Sequence, residues 1–205
     1  MTVRIKVCGI THPDDAAMCV DAGVDLIGLN FVPASPRHLS IDQGEKIAAR
    51  VAGQIERVAV FANAPLVEIQ KVMRRVDLER IQFHGDETEE DIELVDLPVI
   101  KAVRGADMEA IEQFPSAILL LDHPTEGGGK GKAWDWSEAE PLISAGTDVI
   151  LAGGLNPENV AEAIAAVGDV LPWGVDVATG VDGASFRKDA AKIAAFVKAV
   201  REASK

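Results

Sequence analysis

Two residues that close apolar segments are of types that could share proton-transfer work: Cys8 ends Val3-Arg4-Ile5-Lys6-Val7-Cys8, and Asp122 ends Ala117-Ile118-Leu119-Leu120-Leu121-Asp122. Side chains on a strand alternate faces, so Arg4, Lys6 and Cys8 share one face while Val3, Ile5 and Val7 share the other. A free cysteine is most often a small buried hydrophobe, and Cys19, inside a helical stretch, is read that way. Cys8 is set apart by the two cations on its face, since nearby positive charge favours the thiolate, the form that acts as base or nucleophile. Asp122 is either a turn cap or a carboxylate aimed into a site. In Trp173-Gly174-Val175-Asp176-Val177, Asp176 faces the same interior if Val175 and Val177 face outward. A thiol and two carboxylates at strand ends suffice for general acid and base catalysis.

Anion binding has its own residues. Ala152-Gly153-Gly154-Leu155-Asn156-Pro157 and Ala178-Thr179-Gly180 offer unencumbered backbone N–H groups directly after strand-like segments, which suits phosphate. Gly153, Gly154, Thr179 and Gly180 are the candidate phosphate donors. Arg37, in Pro33-Ala34-Ser35-Pro36-Arg37, is a guanidinium on a loop stiffened by two prolines, which suits a carboxylate; base rate alone favours a solvated arginine. His84 follows Ile81-Gln82-Phe83 at another strand end and is carried as a substrate contact, although an isolated histidine is more often structural. The four histidines and two cysteines have no metal-ligand spacing, so no metal is expected.

The elements that must position these residues recur serially. Eight short apolar, β-branched segments start near Val3, Asp25, Arg57, Glu79, Pro98, Ala117, Asp148 and Trp173, one roughly every 24 residues, about the length of a strand plus a short helix. Between them lie helix signals: Thr11 as cap of a helix from Pro13 to before Gly23, Ser40 with Gln43 as a capping box, and Asn156-Pro157 as another start. Alternating βα units demand a parallel sheet, and eight in so short a chain predict a closed (β/α)8 barrel spanning residues 1–205 as one α/β domain. An open doubly wound sheet is the lesser alternative. The glycine cluster Gly127 to Gly131 directly follows a strand, where a barrel carries functional loops.

Composition bounds the rest. The chain has 205 residues, 48% hydrophobic and 26% charged, with 33 acidic against 20 basic side chains and a formal net charge of -13. Such a charge repels nucleic acid and anionic membrane surfaces, so an anionic ligand needs a local cationic pocket. Two cysteines are too few for a disulfide scaffold, and no run of ~18 apolar residues occurs. The expectations are a cytoplasmic protein acting on a small molecule, with no nucleic-acid or membrane partner, and a monomer in preference to a homodimer.

Lys6-Val7-Cys8-Gly9-Ile10-Thr11 resembles the opening motif of the phosphoribosylanthranilate isomerases of tryptophan biosynthesis. The segment around Ser35-Pro36-Arg37, then Val60-Phe61-Ala62-Asn63, Gln82-Phe83-His84-Gly85, Leu121-Asp122 with the Gly128-to-Trp136 loop, and Ala152-Gly153-Gly154-Leu155-Asn156-Pro157-Glu158-Asn159-Val160 resemble that family in order and spacing. The resemblance covers essentially the whole chain. It implies a cofactor-free Amadori rearrangement of N-(5'-phosphoribosyl)anthranilate to 1-(2-carboxyphenylamino)-1-deoxyribulose 5-phosphate. Carried over, Cys8 is the general base, Asp122 the general acid, Arg37 the carboxylate ligand and Asp176 a contact of the ring-opened sugar; the backbones of Gly153, Gly154, Thr179 and Gly180 take the phosphate. The chemistry needs a protonated carboxyl and an ionised thiol at neutral pH, the reverse of the free groups at ~3.9 and ~8.5. Lys6 is grouped with the substrate contacts and is the candidate for lowering the thiol pKa.

The chain departs from the family pattern in three places. Lys130 stands where the loop after strand 6 usually has a small hydroxyl residue, Ala178-Thr179-Gly180 replaces Ser-Ser-Gly, and Ser185-Phe186 replaces a Pro-Gly pair. Two other readings compete: the sister isomerase of histidine biosynthesis, which uses aspartate on strand 1 and has duplicated half-barrels, and a non-catalytic phospholigand-binding barrel. Cys8 and the short chain speak against the first, and the pairing of Cys8 with Asp122 against the second.

Overall fold

A computed structural model describes residues 2–124 and 134–205, so the Gly127 to Gly131 cluster and Lys130 lie outside the described residues. Eight parallel strands close in sequence order: β1 (Arg4–Cys8), β2 (Leu26–Asn30), β3 (Glu56–Phe61), β4 (Arg80–Phe83), β5 (Val99–Arg104), β6 (Ile118–Asp122), β7 (Val149–Leu151) and β8 (Gly174–Val177). Closure comes from β1 on β8, with Arg4, Ile5, Lys6 and Val7 opposite Gly174, Val175, Asp176 and Val177.

Alternation along each strand separates two apolar layers. Outward residues such as Ile5, Val7, Ile27, Leu29, Val175 and Val177 are buried beneath the helices, and inward residues Leu26, Val58, Ile100, Leu120, Ile150 and Ala152 fill the barrel. The bottom is plugged by charge and an indole. Glu56 accepts from Arg4 and from Arg80 Nε, the latter at 2.7 Å, and the Arg4 guanidinium lies 4.5 Å from the Trp173 ring centre. Packing and polar pairing thus fill the lower interior, and a cavity opens at the strand C-termini.

The helices are α1 (Pro13–Ala22), α2 (Ile41–Arg50), α3 (Leu66–Arg75), α4 (Glu89–Glu93), α5 (Glu109–Gln113), α6 (Glu140–Ser144), α7 (Val160–Ala166) and α8 (Ala190–Ala203). The expected capping box at Ser40 and Gln43 forms, and Gly23 ends α1 in the left-handed conformation at φ 79°. The cap of α1, however, is His12 rather than Thr11, its Nδ1 accepting from Asp14 N at 3.1 Å. Asn156 caps a preceding turn by accepting from Glu158 N and Asn159 N, so α7 proper starts later, at Val160. α8 docks on α1 and α7 and is capped by Asp189, which accepts from Ala191 N and Lys192 N.

Candidate active site

The C-terminal mouth of the barrel holds a cavity of about 560 Å³, within the range that encloses small-molecule ligands. One flank is apolar, with Val32, Pro36, Val60, Leu120 and Leu155. The other brings together Cys8, Arg37, Gln82, His84, Asp122 and Asp176, and the rim is built from Gly153, Gly154, Thr179 and Gly180. Every site residue singled out from the sequence lines this cavity except Lys6, which lies one layer below.

β1 places Lys6 and Cys8 inward because Ile5 and Val7 satisfy the helix-facing layer. Lys6 is fully buried and donates to Asp176 Oδ1 at 2.7 Å; the two are direct register partners across the closing seam. Cys8 is opposite Gly28 on β2, and a Cβ at Gly28 would stand 2.6 Å from the thiol sulfur. The bare glycine is therefore what makes room for the thiol.

Electrostatics correct one expectation. Burial pushes the Cys8 thiol above its ordinary value, and the opposing pull of Lys6 is the smaller effect, with Asp176 reinforcing the rise. Of the two cations expected beside Cys8, Arg4 is four residues down the strand, roughly 13 Å away at ~3.3 Å per residue, and is engaged by Glu56. Lys6 divides its charge with Asp176. Burial disfavours the Lys6 ammonium, but Asp176 and Cys8 outweigh it and raise the lysine pKa, so Lys6 stays cationic. Cys19, sealed in α1, has its thiol pushed up to about 12 by burial.

Asp122, at the tip of β6, does both things proposed for it. Its Oδ1 accepts from His123 N at 2.8 Å, a turn contact, and its Oδ2 faces His84 Nε2 at 3.3 Å inside the cavity. Gln82 Nε2 lies 2.9 Å from His84 Nδ1. With the amide nitrogen donating, Nδ1 accepts, so Nε2 carries the proton and presents it to the side on which Asp122 lies. Sequence reading missed Gln82, although alternation between Ile81 and Phe83 on β4 points it inward by the rule that found Lys6.

Arg37 crosses from the β2 loop over Gly9, where φ is 76° and a Cβ would stand 2.3 Å from Arg37 Cδ. Its Nη2 bonds Asp182 and lies 3.4 Å from Thr179 Oγ1. Lys188 Nζ holds the other oxygen of Asp182 at 2.6 Å. The rim loops after β7 and β8 meet closely: a Cβ at Gly180 would fall 2.1 Å from Leu155 O. Asn159 braces the first of them, donating from Nδ2 to Gly154 O at 3.0 Å, and Trp134 and Trp136 both donate to Ala152 O at 3.0 Å. Neither Asp182 nor Lys188 was evident from the sequence, because both follow β8 in an aperiodic segment.

The family model for N-(5'-phosphoribosyl)anthranilate (PRA) isomerase matches residues 5–199. The chain belongs to this family. It is 45% identical over 208 residues to N-(5'-phosphoribosyl)anthranilate isomerase of Pseudomonas fluorescens (strain Pf0-1), covering 97% of this chain and 98% of that relative. Among solved structures, phosphoribosyl anthranilate isomerase from Thermotoga maritima aligns with a TM-score of 0.88 at 36% identity, covering 98% of this chain and all of that one. A phosphoribosyl anthranilate isomerase in complex with reduced 1-(o-carboxyphenylamino)-1-deoxyribulose 5-phosphate aligns at 0.87 and 34%, again over 98% of this chain and 100% of that chain. The barrel and its isomerase family are thereby fixed for this chain. Among the described residues no group of His, Cys, Asp or Glu is suited to a metal ion, and no helix is long and apolar enough to cross a membrane.

Proposed function

We infer that this PRA isomerase family member rearranges N-(5'-phosphoribosyl)anthranilate through Asp122 as general acid and Cys8 as general base. One observation carries the assignment: Cys8 at the end of β1 and Asp122 at the end of β6 line the same cavity. Asp122 gives its proton to the ribose ring oxygen as the C1'–O bond breaks, and the anilino nitrogen lone pair forms the iminium. Cys8 then takes the C2' proton; the C–H electrons form the C1'=C2' double bond as the C=N π pair returns to the anilino nitrogen, leaving an enolamine that tautomerises to the ketone. His84 Nε2–H, beside Asp122 Oδ2, stabilises the carboxylate left after proton transfer.

Binding is divided between two anion subsites. The backbones of Gly153, Gly154, Thr179 and Gly180 surround the phosphate, and the Arg37 guanidinium takes the anthranilate carboxylate. Asp176, fixed by Lys6, receives a sugar hydroxyl. The site asks for no cofactor, because the proton given to the ring oxygen leaves Asp122 and the proton taken from C2' arrives at Cys8. A strongly anionic chain with no helix among the described residues long and apolar enough to cross a membrane fits a cytoplasmic enzyme of tryptophan biosynthesis acting as a monomer. The test is direct: purified protein, without added metal or nucleotide, should abolish the fluorescence of phosphoribosylanthranilate in a steady-state assay. Loss of fluorescence no faster than the buffer control refutes the assignment.

A further inference from the structure

We propose that Asp182 and Phe186, on the hairpin after β8, are positioning residues that hold Arg37 as a preformed carboxylate clamp. The inference rests on the reading of Arg37 as the carboxylate ligand. The hairpin is built from an Asp182–Lys188 antiparallel bridge and a 2.8 Å bond from Gly183 N to Arg187 O. It is moored to α1 through fully buried Asp15, which accepts from Arg187 Nε at 2.9 Å and Lys188 N at 3.2 Å. From that anchorage Asp182 grips the edge of the guanidinium, while the Phe186 ring covers its face at 5.0 Å.

Three features separate this arrangement from ordinary loop packing. Ser185 and Phe186 stand at φ 55° and 59°, two successive side-chain-bearing residues in the left-handed region, a strained conformation that persists only if its surroundings impose it. The imposed conformation puts a phenyl ring that is 45% exposed onto an arginine that is 7% exposed, so the strain does not serve to bury the phenylalanine. Arg37 Nε is buried over Gly9 without a hydrogen-bond partner, although two other groups hold the same guanidinium. Two cations, Arg37 and Lys188, face one carboxylate, Asp182, and leave one net positive charge. That is the charge one ligand carboxylate neutralises. A clamp ordered before the ligand arrives spares the cost of ordering a long side chain on binding.

The experiment compares Kd for the reduced product, 1-(2-carboxyphenylamino)-1-deoxyribulose 5-phosphate, with Kd for the same compound lacking the carboxylate, in the wild type, R37A, D182N and F186G. R37A should erase the preference for the carboxylated ligand. D182N should reduce that preference about tenfold, as for loss of a charge-assisted contact, and F186G about two- to fivefold, as for loss of a cation–π contact. Because glycine relieves the positive φ, F186G should keep or raise the melting temperature while losing preference, a combination that a purely structural role cannot give. If R37A leaves the preference intact, the reading of Arg37 itself fails. If R37A erases it but D182N and F186G leave it at the wild-type value, or if D182N strengthens it by removing a competing carboxylate, the positioning role is overturned.

Discussion

Gly28→Ala should disable the base without touching it. A Cβ on Gly28 would lie 2.6 Å from Cys8 Sγ and 3.1 Å from Cys8 Cα. Heavy atoms pack at ~3.5–4.0 Å, so relief requires about 1 Å of movement, and the thiol, free to turn about one bond, is the group that gives way. A misplacement of ~1 Å in a reacting group costs on the order of 10²-fold, about 2.7 kcal/mol of barrier. The expected result is therefore a fall of ~10² in kcat by the fluorescence assay, with the carboxylate preference described above retained. The decisive comparison is the Cys8→Ala background, in which the sulfur that Gly28→Ala would displace is gone. There the second substitution meets no sulfur, only Cα at 3.1 Å and Cβ at 3.3 Å, and should change kcat by less than about twofold. If Gly28→Ala stays within threefold of wild type, the thiol position does not govern the reaction. Equal losses in both backgrounds would mean that the strand, not the sulfur, moved, and the argument would fail the same way.

Cys8→Ala and Asp122→Asn should each lower kcat by ~10²–10⁴, with Cys19→Ala as the control that leaves turnover in place; retention of a tenth of wild-type kcat by Cys8→Ala would return that residue to packing. The pH dependence follows from the raised thiol pKa: the reactive form holds one proton, on Asp122, and the same proton count with the proton on Cys8 gives no turnover but titrates with it. kcat/KM should therefore stay level through the ordinary thiol range near ~8.5 and fall only at higher pH, when that last proton is lost; a fall centred below ~8 would contradict the burial of Cys8. Lys6→Met should destabilise the fold by ~3–5 kcal/mol in urea titrations by stranding Asp176, and Lys6→Met with Asp176→Asn should recover most of it; equal instability of the double variant would show the lysine stem, not the charge pair, to be what matters. Gly180→Ala, with a Cβ 2.1 Å from Leu155 O, should part the two rim loops and raise KM and the inhibition constant of inorganic phosphate together; a KM change without the phosphate change would separate those loops from phosphate binding.

Most of the fold was legible because strand periodicity is a local property. All eight strands begin within about one residue of the apolar segments read from the sequence, and the inward side chains of β1, β6 and β8 follow from their outward valines, leucines and isoleucines. The choice of His12 over Thr11 as a helix cap was not legible, since both side chains can accept a hydrogen bond and they are neighbours in the chain. The larger failure concerns Cys8. Counting charges on its own strand predicted a lowered pKa, but the sign is set by burial and by Asp176, which lies 170 residues from Lys6 and engages it only when β8 closes on β1. Arg37 presents the same difficulty, its partner Asp182 standing 145 residues away. Which residues can do chemistry is written along single strands. How strongly each proton and each charge is held is decided across the seam of the barrel, and a raised thiol beside a committed lysine means that the ligand-free site keeps its base protonated. The reactive ionisation is therefore a minority state of the free enzyme.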